Sequence, residues 1–285
     1  MALRLNSVFS SASVVSPNNC LRKATFNLRR GGATIRIRMA LSETPSTFKV
    51  IDSHLHVWAS SQEAGKFPYS PGQEPNLPGH VDFLLQCMEE AGVDGALIVQ
   101  PINHKFDHSY VTSVLKKYPA KFFGCCLANP ADDGSGLKQL EHLVLKDGYR
   151  AVRFNPYLWP SGEKMTNEIG KAIFKRAGEL HVPVNFMCMK VYVKFSALFR
   201  VSRTQFPYLD LSPLLSQVVS SFGANRVIWG SDFPFVVPEC GYKGAKDAVQ
   251  LIAHQISLPS SDLEWIMGRT ATQLFQSHLI TAKQD

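Results

Sequence analysis

Two short runs carry residues whose types and spacing could act together. Asp52-Ser53-His54-Leu55-His56 sits in a stretch from Lys49 to Trp58 that reads as extended. On a strand successive side chains point to opposite faces, so Asp52, His54 and His56 are expected on one face and Ser53 and Leu55 on the other. Two imidazoles one strand repeat apart can converge on a single ion, and neutral imidazole is the commonest metal ligand. The second half of such a site is Trp229-Gly230-Ser231-Asp232-Phe233-Pro234, late in the chain.

Bringing these runs together requires a scaffold that joins distant parts of the chain. From Phe48 onward, short apolar runs alternate with helical periodicity. Strands are predicted at 49–56, 96–100, 122–128, 151–154, 183–188, 191–198 and 226–230. Between them, Val81, Leu84, Leu85 and Met88 follow i, i+3, i+4, i+7 spacing. Tyr110, Val111, Val114 and Leu115 mark a second helix, with Asp107 placed to cap it. Pro213 opens a later helix that Gly223 closes, and Ser261 and Glu264 have the spacing of a capping box.

Repeated βα units predict a parallel sheet, closed or doubly wound. No glycine-rich phosphate fingerprint follows the first strand. Both chemistry-bearing runs lie at the C-terminal ends of the first and last strands, which become neighbours in a closed barrel. The expected fold is therefore α/β, a TIM-type (β/α) barrel over 48–278. Its strands number seven rather than eight. Phe186-Met187-Cys188-Met189-Lys190 runs straight into Val191-Tyr192-Val193 with no turn or helix between them. Parallel neighbours need a crossover of a dozen or more residues, and a single strand this long exceeds the usual range. The barrel is thus expected to be incomplete, with its sixth βα unit absent at Lys190–Val191.

The formal net charge of +7 would suit nucleic acid until the charges are located. Arg4, Arg22, Lys23, Arg29, Arg30, Arg36 and Arg38 all precede the first acidic residue, Glu43, and without them the chain is neutral. A nucleic-acid partner is not expected, nor is a membrane, since no apolar run is long enough to span one. The leader, 1–40, is Ser-rich, Arg-containing and free of acid, the composition of an organelle transit peptide without regular structure. Its uncharged, Ser-rich beginning favours a chloroplast over a mitochondrion. The cysteines form no CxxC pair, so neither a zinc ribbon nor a disulfide framework is expected. Cys125 and Cys126 read as buried apolar residues.

With these motifs in view, the chain resembles the amidohydrolase-related family, in its lactonase-like branch. The resemblance rests on His54-x-His56, on Val99-Gln100-Pro101, on Gly230-Ser231-Asp232-Phe233-Pro234, and on the closing Arg269 to Phe275 helix. It implies a hydrolase of a small cyclic ester or related carbonyl compound, with a small molecule as its partner. His54, His56 and Asp232 would hold a divalent metal, zinc or manganese, although some lactonase-like members work without one. Asp232 would be the catalytic base. A metal-dependent decarboxylase on the same scaffold is the alternative. Arg153, a charge on a barrel strand, could hold a substrate carboxylate. Asn103 and His104, with Asp107 and His108, are expected to line the pocket. Lys194, Ser196 and Arg200 flank the strand beside the junction. The segment from Trp58 to Pro78 reads as a loop over the mouth. The family's Asp-His-x-Gly run on the sixth strand has no counterpart here, and its place falls at Lys190–Val191. A third reading is therefore an inactive shortened isoform.

Overall fold

The structure, a computed structural model, describes residues 48–184 and 192–276, together with the strands Lys23–Arg30 and Ala33–Ala40. The chain divides into two units, Met1–Thr47 and Phe48–Asp285. In the first, β1 (Lys23–Arg30) pairs antiparallel with β2 (Ala33–Ala40), Arg30 opposite Ala33. The sequence predicts no regular structure there; a Gly-Gly link between two alternating stretches is a hairpin signal.

The second unit is a succession of βα steps. β3 (Ile51–Leu55), β4 (Gly95–Val99), β5 (Phe122–Leu127) and β6 (Tyr149–Arg153) form one parallel sheet in that order. They are joined by α1 (Val81–Ala91), α2 (Ser109–Lys117) and α3 (Ser135–Lys146), and α4 (Glu168–Glu179) follows β6. All five residues of β4 are buried, as expected for a parallel strand covered on both faces. Val184 continues the sheet by a single parallel bridge to Val152. β7 (Val193–Ser196) and β8 (Val227–Gly230) make a second parallel pair. Between them lie α5 (Leu198–Val201) and α6 (Ser212–Phe222). α7 (Val237–Gln255), broken at Gly241, α8 (Ser260–Glu264) and α9 (Thr270–Gln276) complete the unit. Residues 185–191, where the two abutting strands are predicted to meet, lie outside the described residues.

The fold is an α/β TIM-type barrel, incomplete among the described residues: four strands in one sheet and two in another. Main-chain bonds past the strand ends join β8 to β3. Asp232 N–H donates to His54 O at 2.9 Å, and His56 N–H to Phe233 O at 2.8 Å. One set of buried strand residues, Ile51, Leu97, Val99, Cys125, Ala151 and Ile228, packs together with Ala271 and Phe275 of α9. The alternate residues, among them Leu55, Ile98, Cys126, Val152 and Trp229, pack under the helices instead. Barrel interior and helix side are thereby distinguished residue by residue. Cys125 and Cys126 are buried free thiols, as expected.

Two local expectations differ from the structure. Ser261 does not cap α8, and Glu264 instead accepts a bond from Arg269 at 2.6 Å. Asp52 does not share a face with His54. The β3–β4 register runs from Asp52↔Ala96 to Leu55↔Ile98, three residues against two, so one extra residue is bulged into β3. A one-residue slip reverses the facing of what precedes it. Asp52 therefore turns toward α7, where its Oδ2 accepts from Tyr242 Oη at 2.9 Å, while its Oδ1 accepts from His54 N and Ser231 N, both at 3.0 Å.

Candidate active site

At the mouth formed by β3 and β8, His54 Nε2 lies 3.8 Å and His56 Nε2 4.0 Å from Asp232 Oδ1. The two imidazoles meet edge to face, 5.2 Å between centroids. Asp232 has a φ of 63°, a conformation uncommon outside glycine and found preferentially at functional sites. Its Oδ2 accepts from Arg200 Nε at 2.8 Å, leaving Oδ1 facing the histidines. Two cations complete the surroundings. Lys194 on β7 places Nζ 2.9 Å from His54 Nδ1. Arg153 ends β6, two residues beyond the interior-facing Ala151.

The hydrogen bonds assign the protons. His56 Nδ1 lies 2.8 Å from the Val99 carbonyl, which can only accept, so Nδ1 carries the hydrogen and Nε2 a lone pair. Lys194, as an ammonium, can only donate, so His54 Nδ1 accepts and His54 Nε2 carries the hydrogen. Both rings are neutral at pH 7. Burial lowers His56 to about 4, aided by nearby Arg153, Lys194 and Arg200. Burial, then Lys194, holds His54 well below its ordinary value. Burial raises Asp232 despite the opposing pull of Arg200, Arg153 and Lys194. Lys194 is itself lowered by burial to about 8, which leaves it mostly charged at neutral pH.

Gly230 allows this close approach of β8 to β3. A Cβ there would fall 2.7 Å from His54 Cβ and 3.0 Å from His54 N. Gly230→Ala is expected to lower stability by about 1–3 kcal/mol, as overpacking does, and to displace the His54 ring. Chemical denaturation, together with activity at a temperature where the variant stays folded, separates the two effects.

The sequence profile of the amidohydrolase family matches residues 51–190 and 188–276, most of the chain. The chain belongs to the amidohydrolase family. No curated protein sequence matches it significantly. Among solved structures, it is similar to an Acinetobacter baumannii protein described as a probable 2-pyrone-4,6-dicarboxylic acid hydrolase with citric acid bound, at 16% identity and a TM-score of 0.63, covering 80% of this chain and 99% of that one. A dihydroxybenzoic acid decarboxylase from Polaromonas, with manganese and 2-nitroresorcinol bound, gives 13% identity and a TM-score of 0.56 over 81% and 98%. The 5-carboxyvanillate decarboxylase of Novosphingobium aromaticivorans, also with manganese, gives 11% and 0.55 over 81% and 96%. At these identities the likeness establishes the fold.

In this family member His54, His56 and Asp232 form a group of the right types to hold a metal, their ligand atoms all within 4.8 Å of one another. The bonds just described argue against it. With Lys194 on Nδ1, His54 turns an N–H rather than a lone pair toward Asp232. Only His56 Nε2 and Asp232 Oδ1 remain as free donors, beside the positive charges of Lys194, Arg200 and Arg153. As bonded here, the set does not fit a divalent ion.

The other sequence candidates divide. Arg153 faces the interior, and among the described residues its guanidinium has no hydrogen-bond or ion-pair partner. Asn103 and His104 fasten the 58–78 loop. Asn103 Nδ2 donates to Gln73 O at 2.5 Å, Ser70 N–H to Asn103 O at 2.7 Å, and His104 Nδ1 to Pro68 O at 3.0 Å. Asp107, one residue ahead of His108, the N-cap of α2, accepts at Oδ1 from Ser109 N at 2.9 Å. His108 is saturated by Phe106 O and Leu127 N. Phe235, absent from the sequence reading, packs its ring against His56, Trp58 and Arg200.

Proposed function

We propose that the chain hydrolyses a small cyclic ester bearing a carboxylate, with Asp232 as general base. One observation carries this reading. His54 Nε2–H, the His56 Nε2 lone pair and Asp232 Oδ1 face a common point at separations of 3.8 and 4.0 Å, too long for direct bonds and suited to a bridging water. Such a water accepts from His54 and donates to His56 and Asp232, keeping one lone pair for attack. Asp232 takes its proton as the oxygen adds to the ester carbonyl. When the ring C–O bond breaks, Asp232 returns the proton to the leaving oxygen, and a hydroxy acid forms. A second N–H of Lys194 is free for the carbonyl oxygen as it gains charge, and Arg153 for the substrate carboxylate. The citric acid bound to the Acinetobacter neighbour, a polycarboxylate, supports that substrate class.

Decarboxylation is the competing reading, since two similar structures are manganese-containing decarboxylases. The purified full-length chain, offered a pyrone dicarboxylate and simple lactones, is expected to open the ring without releasing carbon dioxide. Prior dialysis against EDTA should leave the rate unchanged. Carbon dioxide as product, or a rate abolished by chelation and restored by manganese, overturns the proposal. Failure to turn over any of them while folded favours the shortened, inactive form. One observation supports a missing βα unit: the family profile matches in two stretches that meet at residues 188–190. The acid-free, Ser- and Arg-rich leader supports delivery to a chloroplast.

A further inference from the structure

We infer that Lys194 is the residue that bars a divalent ion from the His54–His56–Asp232 group, and that its removal opens a three-ligand metal site there. The inference stands on placement and bonding and does not depend on the substrate proposed above. Lys194 lies on β7 beside β8, at the register position of Ile228, an interior-facing residue. Its Nζ reaches across the mouth to His54 Nδ1 at 2.9 Å. An ammonium has donors and no lone pair, so this contact fixes the His54 tautomer with hydrogen on Nε2, the nitrogen nearest Asp232.

A metal held by His54, His56 and Asp232 needs that hydrogen on Nδ1 instead, where it would point at the Lys194 ammonium. His56 already has the ligand tautomer, enforced by the Val99 carbonyl. Such an outer partner, orienting a ring through its other nitrogen, is how metal sites are ordinarily supported. Lys194 plays the opposite part for His54. It also adds like charge where Arg153 and Arg200 already outnumber the Asp232 carboxylate. Methionine at this position would keep the length and apolar stem while releasing Nδ1 to bond water or to carry the hydrogen.

The test uses the full-length chain with manganese or zinc alone as probe. Equilibrium dialysis followed by metal analysis should find wild type and Lys194→Arg essentially metal-free. Lys194→Met should bind on the order of 10–100-fold more tightly, the range by which outer partners change metal affinity. The gain should vanish in Lys194→Met combined with His56→Ala. Nitrogen-15 spectra of histidine-labelled wild type supply a readout that needs no variant, and should show His54 protonated on Nε2 and His56 on Nδ1. Stoichiometric metal in wild type, a folded Lys194→Met that binds no better, or His54 protonated on Nδ1 each overturns the inference. Absence of lactone turnover in the folded wild type, with metal still excluded, counts against the hydrolase reading alone.

Discussion

Asp232→Asn is expected to lower kcat by about 10²–10⁴-fold, the usual contribution of a positioned general base, with little change in stability. The substitution keeps the side chain's shape and an oxygen for Arg200 Nε, now 2.8 Å from Oδ2, while removing the group that accepts the water proton. A matching pH effect belongs to the wild type. The base works only when ionised, so activity falls as pH drops through the Asp232 pKa. Because burial raises that pKa, the acid limb should lie at higher pH than an ordinary aspartate would give. Steady-state kinetics on a lactone from pH 4 to 9 tests both. Unchanged kcat in the variant removes Asp232 from the mechanism.

The second large effect is on stability. Asp52 is fully buried and accepts from His54 N, Ser231 N and Tyr242 Oη, which ties β3, the turn after β8, and α7 to one carboxylate. Asp52→Ala leaves three buried donors without a partner, each costing about 1–3 kcal/mol. Part of that loss is offset. Burial pushes Asp52 up to about 6 from 3.8, so keeping it ionised at pH 7 works against folding by roughly 3 kcal/mol, which alanine relieves. The orphaned donors win, and a net loss of about 3 kcal/mol is expected. Asp52→Asn, which retains an acceptor for the two backbone N–H groups, should lose less. Urea denaturation with fitted midpoints and slopes measures the difference; equal stability of Asp52→Ala and wild type would show that water satisfies the donors.

The barrel is legible in the sequence because its strands are short apolar runs separated by helical periodicity, each carrying its own local signal. His54, His56 and Asp232 are legible for a related reason: they lie at the ends of the first and last strands, which a barrel makes neighbours. Alternation places Asp52 on the wrong face because the bulge in β3 depends on pairing with β4, and a pattern within one strand cannot reveal a residue added against its neighbour. Lys194 is visible as a charge between apolar Val193 and Phe195, yet its direction is set by register with β8, beside the junction where the strand count breaks down. Asn103 and His104 sit where a pocket-lining pair belongs in sequence. Their partners, Gln73 and Pro68, lie on a loop whose path no local pattern specifies.

The two main-chain bonds that join β8 to β3, Asp232 N to His54 O and His56 N to Phe233 O, bear on how replaceable the side chains between them are. The backbone itself spans the site between His54, His56 and Asp232, and the Asp52 carboxylate reinforces it. Exchanging the side chain of His54, His56 or Asp232 leaves both of these main-chain bonds available. The same holds for position 194, whose side chain takes no part in them, so the chemistry of the site can be altered without dismantling its frame.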